Sequence, residues 1–134
     1  MGFFVKTKTI KQAVTFRAEP PEVYDAILDS KKHSAFTQSK CVIGKKAGDI
    51  FSAYDGYIEG KNIELIPGRK IVQSWHSDGW PKGHYSEVKF EFEKTRKGTK
   101  MKFTHSAVPE DDFEEKSSGW KEHYWDKMKL VFGW

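Results

Sequence analysis

The chain has 134 residues, of which 15% are aromatic and 31% charged, with a formal net charge of +4. That length suits one domain spanning 1–134 and would bury roughly two-thirds of the unfolded surface, while so many aromatic side chains exclude disorder as the main state. No apolar run approaches the roughly 18 residues of a membrane span, and a single cysteine, Cys41, excludes an internal disulfide, a thiolate zinc site and an iron–sulfur cluster.

The start, Met1-Gly2-Phe3-Phe4-Val5-Lys6, is too short for a signal peptide, and Lys6 stands where a myristoylation pattern needs Ser or Thr. A reducing cytoplasm is the expected home. Residues 10–17 alternate, with Ile10, Val14 and Phe16 on one face and Lys11, Thr15 and Arg17 on the other, the pattern of a half-buried strand. Glu19-Pro20-Pro21 ends it, because proline cannot donate to a ladder. The same prolines suit the first turn of a helix carrying Val23, Tyr24, Ile27 and Leu28, with Glu22 at the positive end of its dipole. Ser30 is placed to cap a second short helix around His33 and Phe36.

After residue 40 the period becomes two. Short strands are expected over 41–44 and 49–54, around the Lys45-Lys46-Ala47-Gly48 turn, and a longer one over 57–66 with a bulge at Gly60 or Lys61-Asn62. Pro67-Gly68 turns the chain into a strand over 70–76, followed by the loop Asp78-Gly79-Trp80-Pro81-Lys82-Gly83. In the last hairpin Val88, Phe90 and Phe92 oppose Glu87, Lys89, Glu91 and Glu93. Met101, Phe103 and His105 likewise oppose Lys100, Lys102 and Thr104, across a turn at Arg96-Lys97-Gly98. Helical spacing returns in Trp120, Tyr124, Trp125, Met128, Val131 and Phe132, an apolar stripe that Gly133 would cap. The order of elements predicts an α+β layer architecture, an antiparallel sheet closed over one long amphipathic helix.

Residues 68–109 carry nine basic side chains against four acidic ones, but these alternate with apolar residues as on the wet face of a sheet. A nucleic-acid reader would cluster them, so no nucleic-acid partner is expected. Cys41 lacks any Cys/His signature and reads as a small buried apolar group. His76, His84 and His105 match no metal-ligand spacing. His105 is in phase with Met101 and Phe103 on an inner sheet face, whereas His84 sits in the loop. The acidic run Glu110-Asp111-Asp112 and Glu114-Glu115 suits a helix N-terminus, and no glycine-rich phosphate loop occurs. No catalytic residue, metal or cofactor is expected.

The stretch Ile63-Glu64-Leu65-Ile66-Pro67-Gly68-Arg69-Lys70-Ile71-Val72-Gln73-Ser74-Trp75 resembles a strand–turn–strand of the activators of the heat-shock protein 90 ATPase, in their C-terminal domain. Gly79-Trp80-Pro81-Lys82-Gly83-His84-Tyr85-Ser86 is similar to that family's WPxGHY/F loop. Val108-Pro109, Gly119-Trp120 and Phe132-Gly133 resemble its terminal signature, and Pro21-Glu22-Val23-Tyr24-Asp25-Ala26 its helix opening. The resemblance implies a START-like, birch-allergen-like helix-grip fold: a curved antiparallel sheet of about six or seven strands around a long C-terminal helix, with two short helices after the first strand. It also implies a chaperone-associated regulator, a non-catalytic monomer whose partner is a heat-shock protein 90 type chaperone. The resemblance implies a counterpart of the C-terminal domain of the two-domain co-chaperones, and 134 residues are expected to leave no room for their N-terminal domain. The alternative is a carrier or enzyme for a small hydrophobic ligand held between sheet and helix.

Two sets of site residues follow. Trp80, between Gly79 and Pro81, is expected as an exposed interface anchor, with Lys82 and His84 beside it and Arg69 and Lys70 completing a basic rim. The competing expectation is that Trp80 folds back as a lid over the sheet edge. Phe90, Phe92, Phe103, His105, Tyr124 and Met128 would line a ligand cavity, or fill it.

Overall fold

Alternation in β1 (Thr7–Phe16) buries Ile10, Val14 and Phe16 and leaves the intervening residues wet. The computed structural model describes residues 5–133; the Met1-Gly2-Phe3-Phe4 part of the chain start lies outside them. After β1, Pro20 and Pro21 open α1 (Pro20–Leu28), which buries Val23, Tyr24, Ala26, Ile27 and Leu28. The next helix, α2 (Ser30–Thr37), is capped by Asp29 rather than Ser30: the Asp29 carboxylate accepts the Lys32 N–H at 3.0 Å. Ser30 instead accepts the Ile43 N–H at 2.8 Å, tying the helix to an edge strand.

The meander follows as β2 (Val42–Ile43), β3 (Ile50–Ala53), β4 (Ile58–Ile66), β5 (Lys70–Ser77), β6 (Ser86–Lys94) and β7 (Thr99–Pro109). All pairings are antiparallel, in the spatial order β1-β7-β6-β5-β4-β3-β2. The β4 bulge falls one residue later than the alternation suggests. Register breaks between Asn62 and Glu64, and the extra residue, Ile63, turns outward at 49% exposure. Gly60 marks a close approach instead, since a Cβ there would collide with the Ser74 carbonyl oxygen. Inward residues meet in cross-strand pairs, Phe90 with Phe103 and Phe92 with Met101.

One helical run closes the concave face: α3 (Phe113–Trp120), a wide π-helical turn (Lys121–Trp125) and α4 (Asp126–Phe132), ended by Gly133 at φ 92°. Trp120, Tyr124, Trp125 and Met128 are buried as the stripe requires. Val131, expected on the same stripe, is 61% exposed. The last turn is held at β1, where Phe16 meets Phe132 edge-on at 6.2 Å, and that contact leaves Val131 facing away.

Candidate functional site

The loop between β5 and β6 turns through Gly79 and Gly83, both at positive φ. It does not present Trp80 to solvent. Trp80 is 8% exposed and folds back onto inner-face residues of the central strands, its ring 5.4 Å from Trp75 of β5 and 6.2 Å from His105 of β7. Its indole N–H donates to Asp112 Oδ2 at 2.7 Å, and the same oxygen takes the Lys116 ammonium at 2.9 Å. The exposed-anchor expectation is therefore corrected to the lid. An indole hides readily where its N–H finds an acceptor, and here a carboxylate from the start of the C-terminal helix supplies it.

His84 is a strut as well. Its Nε2 donates to the Ala107 carbonyl at 2.8 Å, and its own carbonyl accepts from His76 Nδ1 at 2.8 Å. Ala107, at φ 60°, sits where β7 slips register against β1, between Lys8 and Ile10. Lys82 stays exposed at the loop tip. Arg69 and Lys70 do not join it: Lys70 opens β5 and Ser77 closes it, which separates them from the loop by about 23 Å of strand. Lys70 pairs with Glu64 at 2.7 Å, a bond that raises its pKa. The rim around Trp80 is thus acidic, a groove of about 690 Å³ lined in part by Asp78, Glu110, Asp111 and Asp112.

Between sheet and helix the side chains are packed. Phe90, Phe92, Phe103, His105, Tyr124 and Met128 are all buried, and Phe103 lies 4.5 Å from Trp120 and 5.0 Å from Trp125. Of these six, Tyr124 lines a cleft between the sheet residues Ile58 and Trp75, the β3–β4 turn and the helix, and Phe92 lines a separate surface groove beside Arg69 and Lys70. The stripe both fills and lines this space: Phe103, Trp125 and Met128 pack the interior, while Trp120 and Tyr124 face the cleft of about 420 Å³.

His105 and Ser86 stand 2.7 Å apart, the spacing of a base and a nucleophile. Their wiring is the reverse. The Trp120 indole N–H can only donate, so His105 Nδ1 accepts it at 3.0 Å and Nε2 carries the ring proton. That proton goes to Ser86 Oγ, whose own hydrogen goes to the Trp75 carbonyl at 3.0 Å. The imidazole offers Ser86 no lone pair. Burial, with Lys116 nearby, pushes the His105 pKa down to about 3.

A second buried imidazole, His33, was legible only as a helix residue. Its Nδ1 donates to the Ile27 carbonyl at 2.8 Å and its Nε2 accepts from the Tyr124 hydroxyl at 3.0 Å. Burial lowers its pKa to about 4. Cys41 is buried, and its thiol is pushed up to about 12, far from thiolate chemistry. Among the described residues no group of His, Cys, Asp or Glu is arranged to hold a metal ion.

Comparison with known proteins agrees with this architecture. The family described as "Activator of Hsp90 ATPase homolog 1-like protein" matches residues 17–133. A Dictyostelium discoideum protein named "Activator of 90 kDa heat shock protein ATPase homolog" is 39% identical over 129 residues, 96% of this chain and 34% of the relative. The human "Activator of 90 kDa heat shock protein ATPase homolog 1" is 26% identical over 134 residues, 100% of this chain and 40% of the relative. The chain thus spans between 34% and 40% of the length of these curated relatives. The crystal structure of an HSP90 activator from Plasmodium falciparum superposes with a TM-score of 0.87 at 23% identity, covering 92% of this chain and 94% of that one. The solution structure of an Aha1 dimer from Colwellia psychrerythraea gives 0.79 at 19% identity, covering 94% and 98%. These likenesses establish the helix-grip fold, and with the match over residues 17–133 the chain belongs to the family of Activator of Hsp90 ATPase homolog 1-like proteins.

Proposed function

We propose that this domain binds a heat-shock protein 90 type chaperone and stimulates its ATPase cycle. The observation that carries the reading is the family match over residues 17–133, supported by the Dictyostelium relative named as such an activator. Contact falls to the exposed cations Lys82, at the loop tip, and Arg69, at the other end of β5, with the half-buried Lys70 beside it. Trp80 and His84 act behind Lys82, holding the loop in shape. Because the two basic groups are about 23 Å apart along β5, they serve as separate contacts that steer association toward an acidic partner. The proposed setting is the cytoplasm; among the described residues no helix is long and apolar enough to cross a membrane.

The test is calorimetric titration of the host's chaperone with the domain, alongside its ATPase rate. Wild type should bind, release heat that shrinks with added salt, and raise turnover. Lys82→Glu and Arg69→Glu should each weaken binding while leaving the melting temperature in place. Absence of both binding and stimulation by the wild-type domain would sink the reading. Normal binding by both variants would remove only the assigned contacts.

A further inference from the structure

Of the eight large apolar side chains exposed among the described residues, four line a single groove on the convex face of the sheet. They are Val42 of β2, Ile50 of β3, Ile63 of β4 and Tyr85 just before β6. Ile50, at 74%, is the most exposed of the four. Farther along this face the outward residues are charged or polar, as Glu87, Lys89 and Glu91 of β6 and Lys100, Lys102 and Thr104 of β7 show. An apolar patch on an otherwise wet face marks a surface that another molecule covers. Within the patch β4 turns two opposite charges outward, Glu59 and Lys61, with Gly60 between them.

The covering molecule does not add a strand at the nearby sheet edge, because α2 already occupies that edge. Ser34 Oγ accepts the Cys41 N–H at 2.9 Å and donates to the Cys41 carbonyl at 3.2 Å. Ser30 Oγ does the same for Ile43, at 2.8 and 3.2 Å. Two hydroxyls thus stand in for a neighbouring strand, and an edge so covered is closed to pairing. Docking is left to the face itself.

We propose that this face binds a second copy of the chain, in a weak isologous dimer whose two-fold axis crosses β4 at Gly60. Rotation about such an axis sets Glu59 of each copy opposite Lys61 of the other. The strand register carries the match outward. Ile50 pairs with Lys61 and Ser52 with Glu59, so each Ile50 meets the other copy's Ser52. On the opposite flank Lys61 pairs with Ser74, and the Tyr85 hydroxyl donates to Glu59 at 3.3 Å, so each Tyr85 meets the other copy's Ser74. Large side chains fall on small ones, and each anion falls on a cation. This charge pattern is what selects a second copy as the occupant: an apolar patch carrying one acid and one base complements itself under a two-fold rotation. The dimer does not depend on chaperone binding, and it stands in place of the monomer that the family resemblance implies.

Sedimentation equilibrium of the wild-type protein, from about 10 μM to about 1 mM, should show reversible dimerisation of the weak class given by contacts burying less than about 1,200 Å². Ile50→Asp, at an exposed position, should keep the wild-type melting temperature and raise the dimer dissociation constant at least about tenfold. Lys61→Glu and Glu59→Lys should each weaken self-association, because each sets like charges against one another across the axis. An equimolar mixture of these two variants restores opposite charges and should associate as the wild type does. A wild type that stays monomeric throughout, a folded Ile50→Asp that dimerises normally, or a mixture no more associated than its components would each overturn the proposal. Should Ile50→Asp fail to fold, the mixture of charge variants decides alone.

Discussion

Trp80 stacks beside Trp75 and gives its indole proton to Asp112, whose carboxylate also holds Lys116. Truncating it removes a buried ring and strips one partner from a half-buried ion pair. Trp80→Ala is therefore expected to cost about 3–5 kcal/mol, from transfer and cavity terms. Trp80→Phe keeps most of the ring and loses the donor, which should cost about 1–2 kcal/mol. Urea titrations of both variants separate the two contributions; a neutral Trp80→Ala would return the residue to the surface. The loop's composition made Trp80 visible in the sequence, but not its burial, because the acceptor lies 32 positions away. The same limit hid the separation of Arg69 and Lys70 from Lys82. Twelve residues of sequence between Arg69 and Lys82 give no sign that a strand of eight runs straight between them. His105, by contrast, was legible as an inner-face residue, since its neighbours Met101 and Phe103 share its period and all three are buried.

The C-terminal helix carries the element-scale version of this contrast. Spacing at i, i+4, i+5 and i+8 from Trp120 identified the buried face, because that face repeats within a few turns. The pattern could not show the π turn, which brings Tyr124 and Trp125 inward together, nor the rotation that leaves Val131 at 61% and Leu130 at 88% exposure. Hairpin β6–β7 was readable for the same local reason, whereas the β1–β7 ladder that closes the sheet pairs residues some ninety positions apart, such as Phe16 with Thr99. The buried face has a direct check. Met128 is fully buried, so Met128→Ala should cost about 2–5 kcal/mol, while Lys129→Ala, one step round the helix, should stay within about 0.5 kcal/mol. Equal shifts in denaturation midpoint would mean the helix is seated on a different face.

At the scale of the whole molecule, two neutral imidazoles clamp that helix from opposite partners. His33 of α2 accepts from the Tyr124 hydroxyl, and His105 of β7 accepts from the Trp120 indole. Protonation would place an N–H where each ring now offers a lone pair, inside a packed interior where a charge is poorly solvated. Their folded pKa values, about 4 and about 3, lie below the ordinary histidine value of 6.5. The unfolded chain consequently binds protons that the folded one refuses. Stability is complete above about pH 6.5 and declines as pH falls below it, toward the folded pKa values. The slope builds up to roughly 1.4 kcal/mol per pH unit for each ring as the unfolded histidines protonate, so the two together should remove about 3 kcal/mol between pH 6.5 and 5. Asp29, whose carboxylate is held below its usual range chiefly by the Lys32 N–H, contributes stability that is lost only at more acidic pH, so this window belongs to the histidines. Urea midpoints measured from pH 7.5 down to 5.0 should fall steadily below 6.5, and His33→Gln, which cannot titrate, should fall with about half the slope. A midpoint that stays flat across the window would show that the helix is not held through neutral rings.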